Sequence, residues 1–404
     1  MQTISGGVCA PKGFKASGIH CGLRKNKALK DLALIVSDVP ASAAAVYTQN
    51  LVKGAPILVT QEHIANGMAQ AILCNSGNAN TCNADGPAVA KKMCELAGNA
   101  LGIDLKDVIV ASTGVIGQPL PICPIESGMG ALIDALGYEN SLDAARAIMT
   151  TDTAVKETAV SFNVGGRECH IGGIAKGSGM IHPNMATMLV FITTDAAISP
   201  ALLQKALSND ILDTFNMVSV DGDTSTNDMV AVLANGMAGN DTIVSENEDY
   251  LAFCAALKEI TSYLCRSIAK DGEGATKLLT CKVSGAKDAD TARKVAKSVI
   301  CSSLLKAAMF GADANWGRVL CAIGYSGADV DIAKVDVSFS SSAGYLDVCN
   351  DGAGVPFSEA IAKNILLQDE IDILVYLNSG DASATAWGCD LTYDYVKING
   401  DYRS

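Results

Sequence analysis

Histidine is nearly absent from this sequence: there are four in 404 residues, His20, His63, His170 and His182. None stands in an H-E-x-x-H arrangement or another paired-ligand spacing, and no Cys/His cluster accompanies them, so no built-in metal site is expected. The 14 cysteines, scattered from Cys9 to Cys389, include no C-x-x-C pair. Several, such as Cys254, Cys265 and Cys301, fall inside apolar helical patterns, and the set reads as reduced, mostly buried thiols of a cytoplasmic protein. Long apolar runs are missing as well. Stretches such as Met188–Ile192 and Ile371–Leu377 fall far short of the roughly 18 residues that a bilayer span needs. The segment Met1–Cys9 lacks the charged, apolar and small-residue regions of an export signal. Basic residues are in deficit, 30 Lys and Arg against 43 Asp and Glu. The net charge of −13 opposes approach to a phosphate backbone, so nucleic acid is not an expected partner.

What is present is an apolar chain, 49% by composition, which excludes disorder. Its length suggests two or three domains or one large composite core. No repeat, Pro/Ser-rich linker or block of like charge divides it. Short apolar or β-branched runs predict strands at Leu32–Val36, Ile57–Thr60, Ala71–Cys74, Val108–Ala111, Thr187–Thr193, Met229–Leu233, Leu278–Val283, Val335–Phe339 and Ile373–Leu377. Helical periodicity covers Pro87–Leu101, Ile125–Leu136, Asp249–Ala269, Asp290–Met309 and Phe357–Leu367. A mixed α/β architecture follows.

Gly and Asn collect in loops directly after strands: Asn75-Ser-Gly-Asn-Ala-Asn-Thr-Cys-Asn83, Ser112-Thr-Gly-Val-Ile-Gly117 and Asp221-Gly-Asp-Thr-Ser-Thr-Asn-Asp228. Such loops let backbone come close to a ligand. No G-x-S-x-G elbow occurs, which disfavours a hydrolase of that fold. Gly172-Gly-Ile-Ala-Lys-Gly-Ser178 approaches the phosphate-loop pattern, but its Lys precedes the second Gly instead of following it. Taken alone, Thr187 opens an apolar strand as β-branched residues commonly do.

The run Lys176-Gly-Ser-Gly-Met-Ile-His-Pro-Asn-Met-Ala-Thr-Met-Leu189 closely resembles the self-cleavage segment of the ornithine acetyltransferase (glutamate N-acetyltransferase) family. Further matches follow in that family's order: Asn75–Asn80, Ser112–Gly117, Met149-Thr-Thr-Asp-Thr153, Asp221–Asp228, Asp271-Gly-Glu-Gly-Ala-Thr-Lys277, Gly311-Ala-Asp-Ala-Asn-Trp-Gly-Arg318 and the tail Tyr395–Ser404. The tail departs slightly, with Gly400 and Ser404 where the family more often has Ala and Thr. The resemblance implies an α/β (α+β) fold, a four-layer αββα sandwich. That architecture is similar to N-terminal-nucleophile hydrolases and is shared by aminopeptidase DmpA and the ornithine acetyltransferases.

The resemblance also implies a cut between Ala186 and Thr187, giving an α chain of residues 1–186 and a β chain of residues 187–404 with one intertwined core. A Thr hydroxyl needs a base to become a nucleophile. The freed amine of Thr187, with a reference pKa of about 8, can be that base. Thr113 and Gly114 match the family's oxyanion hole. Thr150, Lys176, Thr187, Glu273, Asn399 and Ser404 match its substrate positions, while Asp228, Asp313 and Arg318 belong to motifs and read as structural anchors.

The implied reaction moves acetyl from N2-acetylornithine to glutamate through acetyl-Thr187. It needs no bound cofactor, and acetyl-CoA is an optional second donor. The implied assembly is a heterotetramer of two α and two β chains. Two alternatives stand beside this reading: a self-processing aminopeptidase or amidohydrolase of the same fold, and a binding module that uses the Gly/Asn loops without covalent chemistry.

Overall fold

The computed structural model describes residues 1–182 and 188–400. Its strands are β1 (Gln2–Ile4), β2 (Phe14–Ile19), β3 (Leu32–Tyr47), β4 (Met68–Asn75), β5 (Val108–Ser112), β6 (Lys156–Val164), β7 (Arg167–Lys176), β8 (Leu189–Thr194), β9 (Val218–Ser219), β10 (Met229–Ala234), β11 (Leu278–Ala286), β12 (Asp336–Ser341), β13 (Gly344–Asn350), β14 (Ala353–Gly354), β15 (Glu370–Tyr376) and β16 (Ala382–Cys389). The α-helices are α1 (Ala55–His63), α2 (Gly86–Leu101), α3 (Cys123–Asp134), α4 (Ser141–Ile148), α5 (Pro200–Asp210), α6 (Glu248–Lys270), α7 (Ala289–Cys301), α8 (Ser303–Phe310), α9 (Trp316–Gly324), α10 (Glu359–Leu366) and α11 (Tyr393–Gly400). They form two compact units. The first comprises Met1–Gly177, Asn184–Leu212 and Thr224–Leu264, and the second comprises Ser178–Pro183, Asp213–Asp223 and Cys265–Ser404. No helix among the described residues is long and apolar enough to cross a membrane.

The first unit is built on a nine-stranded sheet in the order β1-β6-β7-β8-β10-β3-β4-β5, with β2 on the first half of β3. The apolar runs of β3, β4 and β5 are continuous because both of their faces are covered. Leu32, Leu34, Ala71, Leu73, Val108 and Val110 pack with α1, α2 and α3. The alternate residues Ala33, Ile35, Ile72, Cys74, Ile109 and Ala111 share a second core with α4 and with Phe191 of β8. Strand pairs β4/β5 and β8/β10 are parallel, which aligns the carboxyl ends of β4 and β5 and the starts of β8 and β10.

Two sequence expectations are corrected here. Ile57–Thr60 is helix, inside α1, not strand. The start signal is Gly54 followed by Pro56 in the first turn, and the β-branched residues serve packing, with Thr60 Oγ1 donating to Val110 O at 2.8 Å. Asp290–Met309 is two helices, because Ser302 ends α7 and its hydroxyl caps α8 through Leu305 N. The phosphate-loop approximation is the end of strand β7. Gly172 is needed there because a Cβ would stand 1.9 Å from Gly7 O.

The second unit holds a seven-stranded sheet, β14-β13-β12-β15-β11-β16-β9. Within it β11 lies between β15 and β16, parallel to the first and antiparallel to the second. Helix α7 lies on β11 and β16, so close that a Cβ on Gly388 would sit 2.5 Å from Ile300 Cγ2. The loop Asp271–Lys277 enters β11, and α11 follows β16, which brings two of the sequence motifs to one end of this unit.

Candidate active site

In the first unit the site is made where β4, β5 and β7 end. Asn75, the last residue of β4, donates from Nδ2 to Ser112 Oγ at 2.6 Å and accepts at Oδ1 from the amides of Gly77 and Asn78 at 3.1 and 3.0 Å. Thr113 N donates to Asn75 O at 3.0 Å. Asn227, two residues before β10, donates to Ser112 O at 3.0 Å and accepts from the hydroxyls of Thr81 and Thr226 at 2.5 Å. These amide side chains tie three Gly/Asn loops into one assembly, so the loops that a sequence marks as permissive are rigid in the fold.

Gly114 sits in that assembly at φ +132°, and a Cβ there would be 2.9 Å from Asn78 N. No other residue fits. Thr113 and Gly114 remain partly exposed at the strand end. Lys176, the last residue of β7, is buried, with Nζ 3.5 Å from Thr113 Oγ1. One carboxylate organises the rest. Asp152 Oδ1 accepts from Lys156 Nζ and from Gly177 N, both at 2.7 Å, and Oδ2 accepts from Thr150 N at 3.0 Å. Burial works against the Asp152 anion, yet the charges of Lys156 and Lys176 and the bond from Gly177 bring its pKa down to about 2. Arg24 donates to Ser76 O at 2.8 Å and also to Met149 O, fixing the residue before Thr150.

Asp228 behaves in the opposite way. Its Oδ2 is buried with no hydrogen-bond partner among the described residues. Burial raises its pKa well above the ordinary carboxylate range, against the opposing bond from Ser225 and the charge of Lys176. Burial therefore favours its protonated form over the anion.

In the second unit Glu273 and Asn399 are brought together, Asn399 Nδ2 donating to Glu273 Oε2 at 2.8 Å. Gly179 lies flat against that carboxylate, where a Cβ would be 2.3 Å from Glu273 Cδ. Protein occupies the approaches to the glycines that flank Glu273. Gly272 abuts Cys389 Sγ, and Gly274 abuts Tyr395 N. Asp390 holds the loop by accepting from Thr276 N at 2.8 Å and Lys277 N at 3.0 Å.

The histidines are engaged away from these groups. His63 Nδ1 is 2.9 Å from Val108 O, His170 Nδ1 is 2.9 Å from Asp195 Oδ2, and His20 Nδ1 is 2.9 Å from Leu29 O. His182 Nδ1 lies 3.2 Å from Ser219 Oγ and 3.5 Å from Cys301 Sγ. Burial and the charge of Lys297, opposed by Asp221, hold His182 down to about 4, so it is a neutral imidazole. A neutral, half-buried imidazole with two side-chain partners is an anchor more readily than a base.

A family model described as the ArgJ family matches residues 15–404. The chain belongs to the ArgJ family. It is 50% identical over 405 residues to "Arginine biosynthesis bifunctional protein ArgJ" of Caldanaerobacter subterraneus subsp. tengcongensis, covering 100% of both chains. It is 47% identical over 403 residues to the protein of the same name from Bacillus subtilis, covering 99% of this chain and 97% of that one. A crystal structure of the arginine biosynthesis bifunctional protein argJ from Bacillus halodurans aligns with TM-score 0.50 at 46% identity, over 52% of this chain and 97% of that chain. The mixed α/β fold with two sheets is the ArgJ fold.

Of the residues that the resemblance named, the structure groups Thr113, Gly114, Thr150 and Lys176 in the first unit and Glu273 with Asn399 in the second. Ala186, Thr187 and Ser404 lie outside the described residues. Asp313 accepts from Asn315 Nδ2 at 3.1 Å, and Arg318 donates to Leu304 O at 2.7 Å, both on the surface, in keeping with anchors. Sequence reasoning missed Asp152 and Asp390. Each sits in or beside a loop rich in small residues, and the available signal was an acidic residue in a segment whose backbone amides have no ladder to join.

Proposed function

We infer that this ArgJ-family chain is a self-processing acetyltransferase of arginine biosynthesis. It moves acetyl from N2-acetyl-L-ornithine to L-glutamate. The observation that carries this is likeness over the entire length, at about half identity, to relatives named as bifunctional arginine-biosynthesis proteins. No aminopeptidase or binding module has comparable support.

The chemistry proceeds in two acyl transfers. In maturation, Thr187 Oγ attacks the Ala186 carbonyl, the peptide nitrogen leaves as an amine, and water opens the resulting ester. Residues 1–186 and 187–404 become separate chains. The solved Bacillus halodurans chain, which spans about half of this one, supports such a cut. In turnover, the new amine of Thr187 takes the hydroxyl proton as Oγ attacks the acetyl carbonyl of N2-acetylornithine. The Thr113 hydroxyl and Gly114 amide stabilise the oxyanion, and ornithine leaves with the proton. Glutamate's amine then attacks the acetyl ester, releasing N-acetylglutamate and restoring Thr187.

A turn as tightly held as Thr113–Gly114 suits this role, because preorganised donors need no rearrangement when charge develops. Lys176 meets a substrate carboxylate, Thr150 and Asn399 supply neutral polar contacts, Glu273 receives a cationic group, and Ser404 completes the set. No bound cofactor takes part. The relatives' description as bifunctional supports acetyl-CoA as a second acetyl donor for glutamate. The mature protein is a cytoplasmic heterotetramer of two α and two β chains acting on small molecules.

Intact-mass analysis before and after incubation with N2-acetylornithine tests the proposal. Two chains are expected, with one acetyl on the chain that begins at Thr187, and Thr187→Ala should remain a single 404-residue chain. A wild-type protein that stays uncut and gains no acetyl mass would overturn it.

A further inference from the structure

The motif Asp221–Asp228 has no part in the reaction just described, yet its first residue holds the segment that leads to the cut. Asp221 Oδ2 accepts from Met180 N at 2.6 Å, and Oδ1 accepts from Ile181 N at 2.9 Å. The same carboxylate accepts from Asp223 N at 3.2 Å and from Tyr395 Oη at 3.3 Å. Two successive amides converging on one anion form a backbone nest. Met180 pays for this with φ +55°, a left-handed conformation that a side chain with a Cβ rarely adopts.

The neighbours reinforce the hold. Ser178 O accepts from Glu273 N at 2.9 Å, Ser178 Oγ donates to Asp271 O at 2.7 Å, and Ile181 O accepts from Val220 N at 2.7 Å. Of these contacts, only Asp221 restrains two consecutive peptide planes, and it does so with charge-assisted bonds, roughly twice as strong as neutral ones. The tether from this clamp to the bond expected to break is short, only His182 to Ala186. Intramolecular attack by a neighbouring hydroxyl depends on how often the carbonyl is presented to it, and fixing a nearby point of a short tether raises that frequency.

We propose that Asp221 is a positioning residue for self-cleavage: its carboxylate fixes the backbone at Met180–Ile181 and so shortens the free tether to the Ala186–Thr187 bond. This rests on the self-processing reading above and adds the group that makes processing fast. Asp221 touches neither reacting atom. Its role ends when the bond is cut, after which it only retains the tail of the α chain.

The test is Asp221→Asn, which places an amide N–H₂ against a backbone N–H donor while keeping the shape. Intact mass followed over time after expression should show cleavage slowed at least roughly tenfold, the size of losing one charge-assisted bond. Acetyl transfer per mole of cut chain should stay within about twofold of wild type. Asp221→Glu, which keeps the carboxylate, should recover part of the rate.

A second measurement does not depend on how Asp221→Asn folds. In uncut Thr187→Ala protein, hydrogen exchange at Met180 and Ile181 should be protected. Exchange there at the open-chain rate would overturn the proposal, as would wild-type cleavage speed in folded Asp221→Asn. A wild-type chain that never cuts would instead sink the self-processing reading, so the two failures are distinguishable.

Discussion

Asp152 is the group whose removal tells most about the first unit. Its side chain and that of Lys156 are 0% and 1% exposed, so Asp152→Asn takes a carboxylate away from a buried ammonium that it contacts at 2.7 Å. Breaking a buried pair in this way costs about 3–5 kcal/mol. Because the protein has two compact units, a melt is read as a midpoint instead of a two-state free energy. For a cooperative unit of this size the midpoint should fall by roughly 6–20 °C. Asp152→Asn/Lys156→Met removes both charges and should regain most of the loss. The variant also turns an N–H₂ towards Thr150 N or Gly177 N, so KM for substrate should rise more than kcat falls.

The pH dependence gives an independent check. The folded pKa of about 2 lies below the ordinary 3.8, so between those values the unfolded chain binds more protons than the folded one. The stability from Asp152 is fully present above pH 3.8 and is lost as pH falls through about 2. At about 1.36 kcal/mol per unit, the shift corresponds to roughly 2–3 kcal/mol, near the low end of the substitution estimate. Differential scanning fluorimetry of wild type and Asp152→Asn from pH 7 to 2.5 should show the midpoint difference shrinking below pH 4. A constant difference, or a double variant no more stable than the single one, would refute the reasoning.

Gly114→Ala should lower kcat by at least roughly a hundredfold with a small change in KM. Its Cβ meets Asn78 N at 2.9 Å and its φ of +132° suits glycine alone, so steady-state kinetics with N2-acetylornithine and glutamate checks it, and near-normal kcat would remove Gly114 from the oxyanion site. Asp228→Asn should be at least as stable as wild type at pH 8, because a carboxyl with a raised folded pKa loses stability as pH rises towards that pKa while the amide does not titrate. Thermal midpoints at pH 5 and 8 decide this, and a gap between variant and wild type that does not move with pH would mean that Asp228 is ionised in the fold.

How much was legible beforehand follows from what each residue answers to. The runs Ala71–Cys74, Val108–Ala111 and Met229–Leu233 were readable because strands buried on both faces must be apolar at every position. Ile57–Thr60 carried the same signal for a different reason: its side chains pack on the sheet from a helix, which composition alone does not separate from a strand. Strand β7 was hidden by Gly172 and Gly173, whose missing side chains make room for Gly7 O and for Ile260 and Leu264. The candidate site was named through motif resemblance. What resemblance did not supply was the scaffold, since Asp152, Asn75 and Asn227 act through bonds to Gly177 N, Ser112 Oγ and Ser112 O, far away in the sequence, and such pairings exist only once the loops have been brought together.

The absence of any linker in the sequence has a structural counterpart in where the expected cut falls. Strand β7 ends on its amino-terminal side and β8 begins on its carboxyl-terminal side, yet the two are antiparallel neighbours from Ile171↔Thr194 to Lys176↔Leu189. On its other edge β8 pairs with β10 from Leu189↔Met229 to Thr194↔Ala234. Leu189, Val190, Phe191 and Ile192 are at most 2% exposed, and burying four such side chains contributes about 6–12 kcal/mol. Withdrawing β8 would forfeit that burial and two hydrogen-bonded ladders. In the second unit, residues 178–182 from the amino-terminal side are held by Asp221 and Glu273. Each unit therefore contains residues from both sides of the Ala186–Thr187 bond. Breaking that bond would release an amine without releasing a domain, so a cut there requires a chain that has already folded as one piece.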